Sequence, residues 1–270
     1  MNILITGGGG FIGSHLSEKL LHNGENKLFL LDNLLTGRKQ NIEHLDKDKI
    51  VFIEHDVQDH IEIDEKIDYV FHFASAASPV AYTEHPVNTL KAGSIGTINT
   101  LGLAKKHNAE YFLASTSEVY GDPLEHPQKE SYWGNVNPVG PRSVYDEAKR
   151  FSEAIAMAYH REHEIDVRIA RIFNCYGPRM RPNDGRAVPN FFIQALRNDP
   201  MTIYGKGIQT RSFCYVSDLV DALFKLLILP EEKMSSSYER IFNIGATEEV
   251  SILTLAEMIK SQVGSLSDIE

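Results

Sequence analysis

A chain of 270 residues is long enough for one large domain or two small ones, and its 42% hydrophobic content suits a soluble protein with a buried core. The formal charge of -10 argues against a general nucleic-acid binder, which needs a basic face, so any phosphate site must be built locally from arginines such as Arg179, Arg181, Arg186, Arg197 and Arg211. The two cysteines, Cys175 and Cys214, have no metal-binding spacing and read as free thiols in a reducing cytosol, and no stretch approaches the roughly 20 apolar residues of a membrane span.

Met1-Asn2 runs straight into Ile3-Leu4-Ile5, so no leader is expected and the first element is a buried strand. Ser14 to Asn23 carries helical spacing at Leu16, Leu20 and Leu21. Leu28 to Leu31 is a second strand, ended by Asp32-Asn33; Ile50 to Glu54 is a third and Tyr69 to Phe73 a fourth. One long helix is expected over about Asn88 to His107, a fifth strand at Tyr111 to Ser115, a second long helix at Tyr145 to His163, and a sixth strand at Val167 to Ile172. The strands are continuously apolar, and their alternation with helices implies an α/β fold: a doubly wound parallel sheet of Rossmann type, covered on both faces. Beyond about Tyr176 the pieces shorten and Pro and Gly increase, which suggests a smaller substrate-binding lobe over 176–270 attached to a nucleotide-binding domain over 1–175. Returns to the sheet are expected at about 208–217, with Phe213 to Val216 at its edge, and at 240–246.

Gly7-Gly8-Gly9-Gly10-Phe11-Ile12-Gly13 lies between the first strand and the first helix. Gly7 allows a tight turn, Gly10 lets the backbone approach a pyrophosphate, and Gly13 lets helix and strand pack closely. The helix N-terminus then offers N–H groups and a positive dipole end. Asp32 follows at the end of the second strand, where a ribose-binding acid is expected, and favours NAD over a 2′-phosphorylated cofactor. Arg38 and Lys39 lie close behind it and leave that preference open. Asp56-Val57 suits the adenine edge, or Asp56 caps a helix.

Tyr145 and Lys149 are spaced i, i+4 and share one helix face. A nearby ammonium is expected to lower the phenol's pKa, so that Tyr145 can take an alcohol proton while hydride leaves. Thr116, at the end of the fifth strand, can hydrogen-bond the same oxygen.

These stretches resemble the extended short-chain dehydrogenase/reductase family. Within it the chain looks like the UDP-glucuronate decarboxylases, a likeness carried by Ser115-Thr116-Ser117-Glu118-Val119-Tyr120-Gly121, by Tyr132-Trp133-Gly134-Asn135-Val136-Asn137-Pro138 and by Gly140-Pro141-Arg142-Ser143. The resemblance implies an NAD-dependent reaction: oxidation at C4 of UDP-glucuronate with Thr116, Tyr145 and Lys149, loss of the C5 carboxylate as CO2, and re-reduction to UDP-xylose. It adds Asn33, Thr36, Gly37 and Ala74 to the cofactor contacts. For the UDP-sugar it implies Asn174 and Arg211 on the diphosphate, with Ser78, Tyr82, Arg186 and Tyr204 as further contacts, Tyr204 packing on uracil. Glu118 is assigned to the decarboxylation and C5-protonation stage. Ser117 stands where sugar-nucleotide dehydratases carry an Asp, which argues against expulsion of a C6 hydroxyl. Relatives continue past Ser267-Asp268-Ile269-Glu270 with an Arg-x-Pro motif, so a shortened C-terminal lobe is expected. They commonly pair through the two long helices, which implies a homodimer with a four-helix contact. A 4-epimerase or 4,6-dehydratase of the same family, or a non-catalytic nucleotide-binding relative, stays open as an alternative.

Overall fold

A strand that is apolar at consecutive positions must be covered on both faces. That is the character of β1 (Asn2–Thr6), β2 (Lys27–Asp32), β4 (Tyr69–His72), β5 (Glu110–Thr116) and β6 (Val167–Ile172), with the less buried β3 (Ile50–Glu54) beside them. Shorter strands follow: β7 (Cys175–Tyr176), β8 (Thr210–Ser212), β9 (Cys214–Tyr215), β10 (Ile241–Ile244) and β11 (Glu249–Ser251). In the computed structural model, which describes residues 1–234, 236 and 238–270, a parallel seven-stranded sheet has the order β10-β6-β5-β4-β1-β2-β3. The order reverses between β1 and β4, and the carboxyl ends of such neighbouring strands open the crevice where ligands bind in sheets of this kind.

Alternate residues of each strand feed opposite cores. Ile3, Ile5, Leu28 and Leu30 pack with α1 (Phe11–His22) and, from late in the chain, Leu219 and Leu223 of the helix Val216–Leu227. Leu4, Leu31 and Val70 pack on the other face with Leu101, Ala104 and Ala156. The helices there are α2 (Pro79–Glu84), α3 (Pro86–Lys91), α4 (Thr97–His107) and α5 (Ser143–His163). A third cluster, with Phe191, Met201, Ala256 and Ile259, joins α6 (Ala187–Arg197) to α8 (Ile252–Val263), beyond α7, the Val216–Leu227 helix. Among the described residues no helix is long and apolar enough to cross a membrane.

Two sequence expectations are corrected. The helix expected over Asn88 to His107 begins earlier, at Pro86, and is interrupted by a π turn at Ala92–Gly96. The glycines explain the location: a Cβ on Gly93 would stand 2.7 Å from the Ala148 Cβ, and one on Gly96 2.6 Å from Val57 Cγ2. The widened turn lets α5 and the segment after β3 close in together. The expected return of 208–217 to the main sheet does not occur. β8 pairs with β11 and β9 with β7 in separate two-stranded ladders, and the sheet edge is taken by β10 alone.

His72, at the end of β4, ties these layers together. Its Nδ1 lies 2.8 Å from Thr6 Oγ1 and its Nε2 3.2 Å from Thr97 Oγ1. Thr97 Oγ1 is in turn 3.0 Å from Ser152 Oγ, which donates to the Gly93 carbonyl at 2.7 Å. Burial, with the Lys149 charge adding to it, pushes the imidazole down to about 3. The unfolded chain protonates this histidine near 6.5, so its contribution to stability is whole above that pH and is lost as pH falls toward about 3. Urea unfolding at pH 7 and pH 5 should show His72→Asn losing about 2 kcal/mol less stability over that span than the wild type. Equal losses in the two proteins would contradict the neutral, buried imidazole.

Candidate active site

β1 delivers the chain into a turn that only glycine suits. Gly7 has φ 73°, and a Cβ there would lie 3.0 Å from the backbone of Phe73 and Ala74. A Cβ on Gly13 would meet the Gly7 carbonyl at 2.2 Å. α1 therefore starts hard against β1, after Gly10 in extended conformation. The first-turn N–H groups of Phe11, Ile12 and Gly13 have no acceptor within the helix, and these residues line the cleft.

Asp32 ends β2 beside that turn. Its Oδ2 accepts from Gly9 N at 3.0 Å and its Oδ1 from Leu34 N at 2.8 Å. Burial holds the carboxyl above its usual range, against these two bonds. A Cβ on Gly37 would come within 2.6 Å of Asp32 Oδ2, so the Thr36-Gly37 loop closes on the carboxylate. Asn33 Nδ2 donates to Asp56 Oδ2 at 2.8 Å, while Asp56 Oδ1 accepts from Gln58 N at 2.9 Å. Asp56 thus closes a local turn and, with Val57, borders the cleft. Ala74 N donates to Thr6 Oγ1 at 3.2 Å and fixes the opposite wall. Arg38 lines the cleft, whereas Lys39 turns to Glu54 at 2.7 Å. Arg179 is not a free solvated charge: it pairs with Glu18 and donates to Ser14 Oγ at 3.2 Å, drawing the segment after β7 over α1. A dinucleotide fits this set, with pyrophosphate at the α1 terminus and a ribose at Asp32.

Thr116 ends β5, and its Oγ1 accepts from Glu118 N at 3.3 Å, capping the 3-10 turn Ser117–Tyr120. That cap turns Glu118 back into the cleft. Tyr145 faces Thr116 from α5, near enough for that hydroxyl to favour the phenolate, and its ring stacks on Tyr82 at 5.4 Å and 9°. Lys149 Nζ donates to the Ala114 carbonyl at 2.7 Å and stands 5.8 Å from the Tyr145 ring centroid. Burial lowers Lys149 to about 8, opposed by Glu153. The expected lowering of the phenol's pKa is reversed in the free protein: burial, then the Glu118 charge, pushes Tyr145 up.

Two residues that the sequence analysis left without a role complete this end. Arg142 Nη2 lies 2.6 Å from Glu118 Oε2, and Asp146, buried, sits against Glu118 as well. The signal was their i, i+4 spacing, which places Arg142, the N-cap of α5, and Asp146 on one side of the helix, next to Tyr145.

The proposed sugar-nucleotide contacts divide. Ser78 caps α2, accepting from Ala81 N at 3.3 Å, and borders the cleft with Asn174, Arg186 and Arg211. Asn174 Nδ2 donates to the Ser212 carbonyl at 3.2 Å, Arg186 pairs with Asp184, and Arg211 Nη1 donates to the Thr210 carbonyl at 2.7 Å. Tyr204 is 87% exposed and lies outside the cleft lining, because the turn before β8 points it to solvent. The cleft measures about 1640 Å³, larger than a usual single-ligand pocket, and continues from the glycine turn past Tyr145 to Arg211.

The sequence pattern of the NAD dependent epimerase/dehydratase family matches residues 3–245. UDP-glucuronic acid decarboxylase 1 of Arabidopsis thaliana is 51% identical over 271 residues, covering 100% of this chain and 60% of that protein. The protein of the same name from Danio rerio is 50% identical over 269 residues, covering 99% and 62%. The chain thus spans about three-fifths of the length of these curated relatives. Among solved structures, UDP-glucuronic acid 4-epimerase from Bacillus cereus, in complex with UDP-glucuronic acid and NAD, superposes with a TM-score of 0.83 at 28% identity, covering 100% of this chain and 85% of that one. Strand order, glycine turn and sequence agree, and the chain belongs to the NAD dependent epimerase/dehydratase family.

Proposed function

We propose that this chain carries the catalytic site of a UDP-glucuronate decarboxylase, converting UDP-glucuronate to UDP-xylose and CO2. The observation that carries this reading is the turn after β5. It sets Thr116 on Tyr145 and returns Glu118 to the same cleft, with Ser117 where a dehydratase would carry an acid. Relatives about half identical and named as decarboxylases support it.

The α1 terminus, Asp32 and Asp56 would hold NAD, which when bound supplies a reversible hydride acceptor and a positive charge. Thr116 and Tyr145 hold the C4 oxygen of the sugar, and Tyr145 takes its proton with Lys149 favouring the phenolate. In the free protein burial, then the Glu118 charge, holds the phenol in its neutral form. With C4 a ketone, the C5 carboxylate is β to it. The C–C electron pair left by CO2 moves onto the ketone oxygen, where Thr116 and Tyr145 act as preorganised donors. Glu118 stands at the stage of C5 protonation. Asn174, Arg186 and Arg211 take the diphosphate. The functional division follows the cleft: residues 1–175 bind the dinucleotide and bring Thr116, Glu118, Tyr145 and Asn174 to the UDP-sugar, while 176–270 supply Arg186 and Arg211.

The further assignments are a homodimer and a cytoplasmic site of action. The dimer is supported by exposed Val87, Leu90, Ile95, Ile98 and Phe151 along the paired helices α3 to α5, and the compartment by two buried free thiols.

Three measurements test these statements. Incubation with UDP-glucuronate and NAD+ should release CO2 and form UDP-xylose; UDP-galacturonate without CO2 would establish an epimerase instead. Tyr145→Phe should lower kcat about 100-fold or more while NAD affinity stays within about twofold; loss of NAD binding in the folded variant would contradict the assigned role. The double variant Ile98→Asp, Phe151→Asp should sediment as a monomer where the wild type sediments as a dimer.

A further inference from the structure

One buried acid in the cleft has no role in the chemistry above. Asp146 is only 7% exposed, borders the cleft, and its Oδ1 is reached by no hydrogen-bond donor. What faces it is another acceptor: the Glu118 side chain is in hydrogen-bonding contact with Asp146. The neighbouring Glu118 Oε2 is likewise buried without a well-aligned donor, and its contact with Arg142 Nη2, at 2.6 Å, is an ion pair. Two carboxylates in such contact cannot both stay ionised, and a single proton between them supplies the donor that each lacks. Two carboxyl groups with one proton carry one negative charge, which matches the one positive charge of Arg142.

Other titratable and charged groups stand near the pair. Tyr145 and Glu147 come from α5, Tyr82 from α2, and Arg186 from the segment before α6. Burial, then the Glu118 charge, pushes Asp146 up to about 7, with Arg142 opposing.

We propose that Asp146 is a positioning residue that shares one proton with Glu118 and passes it through Glu118 to C5 of the sugar once CO2 has left. The inference rests on the decarboxylase reading and deepens it. Replacing a carboxylate by hydrogen consumes one proton per turnover. The C5–carboxylate bond breaks and its electron pair becomes the enolate; the enolate pair then forms the C5–H bond with the Glu118 proton. That proton is the one the pair shared, drawn from Asp146 to Glu118 as it is delivered; both carboxylates are then ionised until water in the open cleft returns one proton to the pair. Tyr145 cannot be the source, since the proton it holds came from the C4 hydroxyl and returns there.

Two readouts test this, one independent of turnover. In protein labelled with 13C-aspartate, infrared spectra between pH 5 and pH 9 should show a neutral aspartic acid that ionises near neutrality and is missing in Asp146→Asn. In Glu118→Gln the same group should ionise at clearly lower pH, a shift that a purely structural aspartate would not show. Absence of a labelled neutral carboxyl below pH 7 in the wild type overturns the proposal. In the UDP-glucuronate assay, Asp146→Asn should lower kcat about tenfold with KM within twofold, and its alkaline loss of kcat should begin at lower pH than in the wild type. An unchanged kcat and pH limb overturn the relay. If Asp146→Asn fails to fold by circular dichroism, Asp146→Ser replaces it, and the wild-type titration stands without either. If the wild type forms no CO2, the decarboxylase reading fails, while the infrared titration still decides whether the proton is shared.

Discussion

Burial of Tyr145, Asp146 and Lys149 within little more than one turn of α5 is the constraint on which the site depends. Desolvation penalises the charged form of each group, so it raises the phenol and the carboxyl and lowers the amine. All three are driven toward neutrality before any ligand arrives. A site prepared in this way responds strongly to charge brought into it, because few solvent dipoles remain to screen the newcomer. The chemistry of the cleft is therefore set by the order in which charges enter.

The scaffold that enforces this burial is polar as well as apolar. Ser152, one turn past Lys149, reaches the Gly93 carbonyl, and Thr97 links that contact to His72 at the end of β4. On the far side of the sheet end, Arg171 pairs with Glu153 at 2.7 Å, and Glu153 accepts from Ser115 Oγ at 2.5 Å. α5 is thus fixed against β4, β5 and β6 by Ser152 and Glu153, adjacent residues just past its reactive turn. Such support from packed and hydrogen-bonded neighbours holds a catalytic constellation to a fraction of an ångström.

Much of this arrangement was legible in the sequence wherever a local rule decides the outcome. Continuous apolar runs identified the sheet strands, and the glycines around Gly7 and Gly13 marked a turn that the backbone contacts require. Thr116, Tyr145 and Lys149 meet because a strand end and an i, i+4 pair converge on one crevice. What escaped notice depends on tertiary proximity. The π turn at Ala92–Gly96 arises from the approach of α5, which no propensity encodes. The short ladders of β7, β8, β9 and β11 involve two or three residues each, too few for a period to emerge. Arg142 and Asp146 gained meaning only when Glu118 was found between them.

The π turn also resets the phase of its helix. A turn of this kind accommodates one extra residue, and each residue of an α-helix advances the surface by roughly 100°. In an uninterrupted helix, side chains eight residues apart would diverge by about 80°, so Val87 and Ile95, or Leu90 and Ile98, would lie on different faces. With one residue absorbed at Ala92–Gly96, the pairs fall about 20° apart and the exposed apolar side chains on either side of the interruption form one stripe. Closing that turn into regular α-helix at unchanged length would rotate half of the stripe away from the other half, whereas deleting one residue with it would keep the two halves in phase.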